Sequence, residues 1–265
     1  MTPGDLLILL AMALVFVPLE RVLPARPHRW SWPRMRVDLL HLFVSGTVIK
    51  FAGGAIILGM MVVAARLTPG AVRAAVQAQP EWLQFIEILL LADLGFYAAH
   101  RLFHAVPALW RFHEVHHSSE QLDWLAAYRV HPVDQILNSA MILGPVILLG
   151  FSAGPLIVYA MIYRWHSILL HSNVRVDFGP LRWIVASPLF HHWHHADQPD
   201  AYDRNFGGQL VIFDWLFGTL NLGSRKLPER YGLSPPIPAG YLAQLTHPLR
   251  PARGEPALSP SPEHA

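Results

Sequence analysis

Five apolar stretches limit what this chain can become. Residues 6–19, 39–65, 82–99, 136–151 and 153–170 are poor in charge, and a helix needs ~20 predominantly apolar residues to cross a bilayer. The first and fourth stretches are short. Only Ser152 separates the fourth from the fifth, beside Gly150, Gly154 and Pro155, which marks a tight hairpin that reaches across a bilayer or only partway. Composition agrees: hydrophobic residues make up 53% of the 265 and charged residues 14%, with a mean hydropathy of +0.32, too apolar for an ordinary water-soluble domain. The expected fold is therefore all-α, a polytopic membrane helical bundle of four to five spans.

The first apolar run follows Asp5, has no positive segment ahead of it and no small-residue cleavage signal after it. It reads as a retained span and not as a signal peptide. Arg21, Arg26, Arg29, Arg34 and Arg36 crowd the loop after it, whereas the next loop holds only Arg66 and Arg73. The positive-inside tendency then makes the first loop cytoplasmic, and five crossings put residues 100–131 and everything after residue 171 on that same side. Residues 227–240 are rich in proline and glycine, and residues 248–265 in proline, alanine and serine, so the tail is expected to be extended and partly disordered. The expected divisions are N-terminal helices and loops over 1–80, a catalytic unit over 81–223 and the tail over 224–265.

A formal net charge of +2 comes without a Lys/Arg stripe, which excludes nucleic acid as a partner. The absence of cysteine excludes disulfides, thiolate zinc sites and iron–sulfur clusters.

Chemistry is concentrated in histidine. Most of the 16 fall between His100 and His195, in the groups His100-Arg-Leu-Phe-His104, His113-Glu-Val-His116-His117 and His191-His192-Trp-His194-His195. His100 and His104 are i and i+4; His113, His116 and His117 are i, i+3 and i+4, a spacing that His191, His194 and His195 repeat. On helices each group presents one side toward a metal, and neutral imidazole is the commonest nitrogen ligand for zinc, iron, copper and nickel. His192 is rotated roughly 100° off that side and is expected to support the site from behind or to lie at the surface. Isolated histidines such as His28, His41, His247 and His264 are expected to be ordinary polar residues, as is His166 within the fifth apolar stretch. Eight grouped imidazoles exceed the three or four that one zinc ion takes, so two metals are the natural count. Histidine-only ligation with open positions suits iron that activates O₂, although the spacing alone leaves the metal's identity open.

Two rival readings exist. His113-Glu114-Val-His116-His117 also satisfies His-Glu-x-x-His, in which two histidines bind zinc and the glutamate acts as base, as in an intramembrane zinc protease. His116 is superfluous to that scheme. A metal-transport protein would string its histidines along the spans as a pathway, whereas here they gather at span ends.

The segment Asp93-Leu-Gly-Phe-Tyr97-Ala-Ala-His100-Arg101-Leu-Phe-His104, the box His113 to Ser118, Tyr128-Arg129-Val130-His131-Pro132, His171-Ser172-Asn173, Pro188 to His195, and Asp203-Arg-Asn205-Phe206-Gly207 followed by Phe213 to Thr219 together resemble the fatty acid hydroxylase and sterol desaturase superfamily of membrane di-iron oxygenases. The resemblance runs from about Asp93 to Thr219. It implies an enzyme that uses two iron ions (zinc being possible in isolated protein), O₂ and electrons from a separate transfer protein to hydroxylate or desaturate a fatty acyl, sterol or other isoprenoid lipid. It further implies His100, His104, His113, His116, His117, His171, His191, His194 and His195 as iron ligands, with His131 either a ligand or a residue behind one, since Pro132 signals a helix start. Asn173 is a candidate to orient a bound water. Asp93, Glu114, Asp134, Asp197 and Asp214 are candidates to accept imidazole N–H groups, Asp93 above all because it stands in an apolar run. Arg101 and Arg164 are candidates to pair with carboxylates or lipid headgroups.

Overall fold

The computed structural model describes residues 3–27, 31–222 and 225–250. Those residues are helical with no strand, only three isolated bridges joining loops. Ten α-helices carry the architecture: α1 (Pro3–Val22), α2 (Trp32–Leu67), α3 (Gly70–Gln77), α4 (Glu81–Ala105), α5 (Pro107–His117), α6 (Pro132–Leu149), α7 (Ala153–His171), α8 (Pro188–His194), α9 (Ile212–Leu216) and α10 (Tyr241–Thr246). Three of them, α2, α4 and α6, are long and apolar enough to cross a membrane. The runs at 6–19 and 153–170 are also helical, as α1 and α7.

Proline and glycine set the boundaries. Pro33, Pro107, Pro132 and Pro188 each stand at the first turn of a helix, where the missing N–H costs nothing. Pro107 also forces Val106 into extended backbone (φ −102°, ψ 113°). The chain therefore breaks between α4 and α5, and the end of α4 turns to face α5. Gly150 closes α6 in the left-handed region at φ 74°, as the hairpin into α7 requires. Within α2 the helix widens to π-turns over His41–Ser45 and Ile49–Gly53 without breaking.

The core lies between α4, α6 and α7, where Ile88, Ala92, Ile142, Val146 and Tyr159 form one buried cluster. Gly95 lets α4 approach α6 closely, because a Cβ there would collide with the Met141 carbonyl. A second cluster of Met12, Phe16, Trp124, Leu125 and Ile168 ties α1 to α7. The buried Asp38 of α2 holds Arg129 Nε at 2.6 Å and so anchors the loop that precedes α6.

The described part of the C-terminal segment packs against the helices. Tyr231 bridges to Ala196, and α10 packs back on α2 through Gln244 to His41 (3.0 Å) and Tyr241 to Ser45 (3.2 Å). Residues 251–265, like His28 and His264, lie outside the described residues.

Candidate metal centre

The break at Pro107 brings the ends of α4 and α5 face to face, and α7 and α8 close over them. His100 and His104 come from α4, His113, His116 and His117 from α5, His171 from the end of α7, His191 and His194 from α8, and His195 from the residue that ends α8. They converge as two groups: His100, His104, His113, His117 and His194 in one, and His116, His171, His191 and His195 in the other, with the ligand atoms of each group within 4.8 Å of one another. Eight of the nine side chains are buried, and His104 is nearly so. Each His-x-x-His-His motif is thus split between the two groups and does not present all three rings to one centre.

Hydrogen bonds behind the rings fix their tautomers. Nδ1–H of His100 donates to the Phe206 carbonyl at 2.8 Å, that of His113 to Asp134 at 2.8 Å, and that of His116 to the Arg129 carbonyl at 3.2 Å. Nδ1–H of His171 donates to the Ser167 carbonyl at 2.7 Å and that of His194 to the Arg204 carbonyl at 2.8 Å. A neutral imidazole with its proton on Nδ1 presents a bare lone pair on Nε2. Yet His100 Nε2 lies 3.1 Å from His113 Nε2, and His171 Nε2 lies 3.0 Å from His116 Nε2. In both pairs neither nitrogen has a hydrogen to offer, so the lone pairs repel unless a cation stands between them. One such pair occurs in each group.

In the second pair a proton is a poor candidate for that cation. Burial, reinforced by neighbouring imidazoles, holds His116 well below the ordinary value of 6.5, and burial holds His171 at about 4. The buried Nε2 of His104 also has no hydrogen-bond partner among the described residues. Inward lone pairs, neutral rings and acceptors behind the rings are the arrangement in which imidazoles bind metal, and the donor set fits two metal ions.

Of the five carboxylates expected behind the imidazoles, Asp134 takes that position. Asp93 instead accepts the backbone N–H groups of Gln209 (2.8 Å) and Leu210 (2.9 Å). Asp214 likewise accepts from Phe206 N, Gly207 N and the Thr219 hydroxyl, each at 2.7 Å. Both carboxylates brace the 205–211 loop that supplies the carbonyl behind His100. Asp197 accepts from the Tyr202 and Ser234 hydroxyls, and Glu114 from His247 Nε2 at 2.6 Å.

His131 stands outside both groups. Its Nδ1 caps α6 by accepting from Val133 N, and its Nε2–H donates to the Leu245 carbonyl. His192 is fully buried, donating to the Ser172 carbonyl and accepting from the Tyr231 hydroxyl. Asn173 has both side-chain polar atoms on the Arg26 backbone, His166 meets the Ala186 carbonyl, and Arg101 donates to Tyr97.

What the spacing could not reveal is that four of the five Nδ1 acceptors are backbone carbonyls. Two of these, Arg204 and Phe206, sit beside Asp203 and Asn205, which adopt φ 54° and 58°. Asp and Asn tolerate that left-handed backbone best among non-glycine residues, and the alternation turns successive carbonyls toward His194 and His100.

The chain is similar to several lipid-modifying enzymes. It is 34% identical to ornithine lipid hydroxylase OlsE of Rhizobium tropici over 170 residues, 64% of this chain and 51% of that protein. It is 35% identical to alkylglycerol monooxygenase of Danio rerio over 156 residues, 59% of this chain and 33% of that protein, and 34% identical to the Homo sapiens enzyme over 148 residues, 55% and 32%. The chain thus spans about half or less of the length of these relatives. No solved structure matches it. The family model for fatty acid hydroxylase matches residues 85–219, more than half the chain and every one of the nine grouped histidines, and the chain belongs to the fatty acid hydroxylase family.

Proposed function

We propose that this chain is an integral membrane di-iron oxygenase that uses O₂ and electrons from a separate donor protein to hydroxylate or desaturate a C–H bond of a lipid. The observation that carries this reading is the pair of bare Nε2···Nε2 contacts, one in each histidine group, which calls for two cations side by side. Two iron ions, when bound, would support the four-electron reduction of O₂, two electrons coming with two protons from the donor and solvent and two from the lipid; hydroxylation breaks one C–H bond and releases one water, and desaturation breaks two on adjacent carbons and releases two.

The chain's own residues hold and orient that chemistry. His100, His104, His113, His117 and His194 would hold one ion and His116, His171, His191 and His195 the other. Asp134 and the carbonyls of Phe206, Arg129, Ser167 and Arg204 keep the protons on Nδ1, so that each ring stays neutral and turned inward. Helices α2, α4 and α6 would stand in the bilayer and let the lipid approach without leaving it. The site would face the cytoplasm, in keeping with the arginines that follow the first helix. The names of the relatives favour a glycerolipid or amino-acid lipid over a sterol.

Weighing against the protease reading, Glu114, its would-be base, accepts from His247 Nε2 at 2.6 Å. The test is comparative lipid analysis of cells with and without the protein under isotopically labelled O₂. A new lipid carrying the label identifies a hydroxylase and its substrate, and a new double bond without label identifies a desaturase. Unchanged lipids with zinc as the only metal in active protein would sink the proposal.

A further inference from the structure

Two loops on the histidine side of the helices carry an apolar surface that the site does not use. Leu181, Trp183 and Ile184 come from the turn Gly179–Trp183 and the residue after it; Trp215, Leu216 and Phe217 come from α9 and the residue that ends it. All six are between 51% and 65% exposed. They belong to one surface, because Val211 N donates to the Ile184 carbonyl at 3.0 Å and Val185 bridges to Leu210. A contiguous patch of this kind marks a surface that meets something other than water.

The level of the patch along the helices identifies what it meets. On α4, Trp82, Ile86, Leu90 and Leu94 recur every four residues and are all exposed, a continuous outward row. Phe217 stacks on Tyr97, about one turn beyond Leu94, with ring centroids 5.2 Å apart. On α7, Ile157, Val158, Met161 and Ile162 are exposed, and about one turn further His166 reaches the Ala186 carbonyl at 2.9 Å. Each loop therefore stands against the histidine-side part of an outward apolar row, which on α4 runs on through Ala98 and Leu102. Arg101 and Arg164, both exposed, stand at these same levels, where a cation on a membrane helix extends toward the headgroups and where tryptophan is enriched.

We propose that these loops form a collar seated in the leaflet on the histidine side, its occupant being lipid. This rests on the reading of α2, α4 and α6 as membrane spans. The collar brings acyl chains within two rings of the first histidine group: Phe217 stacks on Tyr97, Tyr97 meets Phe206 edge-on at 6.0 Å, and Phe206 lies 5.0 Å from His104 and 5.5 Å from His100.

Tryptophan quenching tests the collar directly. The full chain is reconstituted in bilayers containing phospholipid brominated near the headgroup end of the acyl chains, and the variants W183F, W215F and W82F are compared with the parent. The collar predicts that removing Trp183 or Trp215 lowers the bromolipid-quenchable fluorescence by about as much as removing Trp82, which lies on the α4 row, while quenching by aqueous acrylamide hardly changes. If Trp82 is quenched by lipid but Trp183 and Trp215 answer only to acrylamide, the collar is wrong and the spans stand. Shielding of Trp183 and Trp215 from both quenchers would assign the patch to a second copy of the chain or another protein, and would also overturn it. If lipid quenches none of the three, the membrane reading itself falls, and the collar with it.

Discussion

Replacing Asp134 by asparagine tests the proposed metal centre without touching any histidine of the two groups. The Asp134 carboxylate accepts from His113 Nδ1–H at 2.8 Å, with both side chains buried, and His113 Nε2 faces His100 Nε2 at 3.1 Å. The carboxylate does two things: it fixes the proton on Nδ1, and its charge raises the basicity of Nε2. Asparagine keeps the shape. If its oxygen faces His113 the tautomer survives but the charge is lost, and if its amide faces His113 the proton is driven to Nε2 and the lone pair is lost. Both outcomes weaken metal binding. A hydrogen bond to a charged group is worth roughly 1.5–3 kcal/mol, and loss of such an outer partner costs about 10–100-fold in metal affinity, which is about 1.4–2.8 kcal/mol. The two figures agree, so neither cooperative collapse nor silence is expected. The assay is metal content per chain across a chelator series. Asp134→Asn should surrender metal from the group containing His113 at ten to a hundred times less chelator than the parent, and hold the other group's metal nearly as before. Superimposable chelator curves would refute the assignment of the inward nitrogens.

Three further outcomes follow from the same geometry. His131→Ala removes the cap on α6 and should cost about 1 kcal/mol of stability, seen in thermal unfolding, while metal content stays at the parent level; loss of a metal would make His131 a ligand after all. Glu114→Gln weakens the contact with His247 and leaves every grouped histidine in place, so lipid oxidation should persist with stability changed by about 1 kcal/mol or less; abolished peptide cleavage in this variant would revive the protease. Burial holds His192 and His194 at about 3, against an ordinary value of 6.5, so between those values the unfolded chain binds protons that the folded chain does not. Their contribution to stability is complete above pH 6.5 and is lost progressively as pH falls toward 3; metal-free protein whose denaturation midpoint is flat from about pH 7 to about pH 5 would contradict the burial of these rings.

The grouping of the histidines was legible because imidazole spacing is written in the sequence. All nine histidines singled out by spacing and resemblance stand in the two groups. The groundwork behind them was not legible, since a backbone carbonyl has no letter of its own and its direction depends on the loop that carries it. Asp93 shows the limit of reasoning from side-chain type. An unpaired carboxylate in an apolar run does demand donors, and that much could be read; the donors proved to be the amides of Gln209 and Leu210, more than a hundred residues away. The contacts of residues 231–244 were hidden for a related reason. Proline and glycine between residues 227 and 240 exclude a long helix, but they do not prevent Tyr231, Tyr241 and Gln244 from packing on His192, Ser45 and His41.

The split of each His-x-x-His-His motif follows from helix geometry and explains why the histidine groups come as a pair. On a helix, i+4 lies roughly 40° from i, whereas i+3 lies roughly 100° from i+4 on the other side of i. The i and i+4 rings can share one centre, and the i+3 ring is turned toward the next. On α5, His113 and His117 join the first group and His116 the second; on α8, His191 and His195 join the second and His194 the first. Each helix therefore lends its odd histidine to the group in which the other helix supplies the i, i+4 pair. The exchange holds the groups side by side, with His117 of one stacked on His195 of the other at 4.5 Å. A lone His-x-x-x-His pair would build a single centre with nothing to set its distance from another. The additional histidine at i+3 makes the separation of the two groups a property of helix geometry, as the proposed two-metal reaction would require.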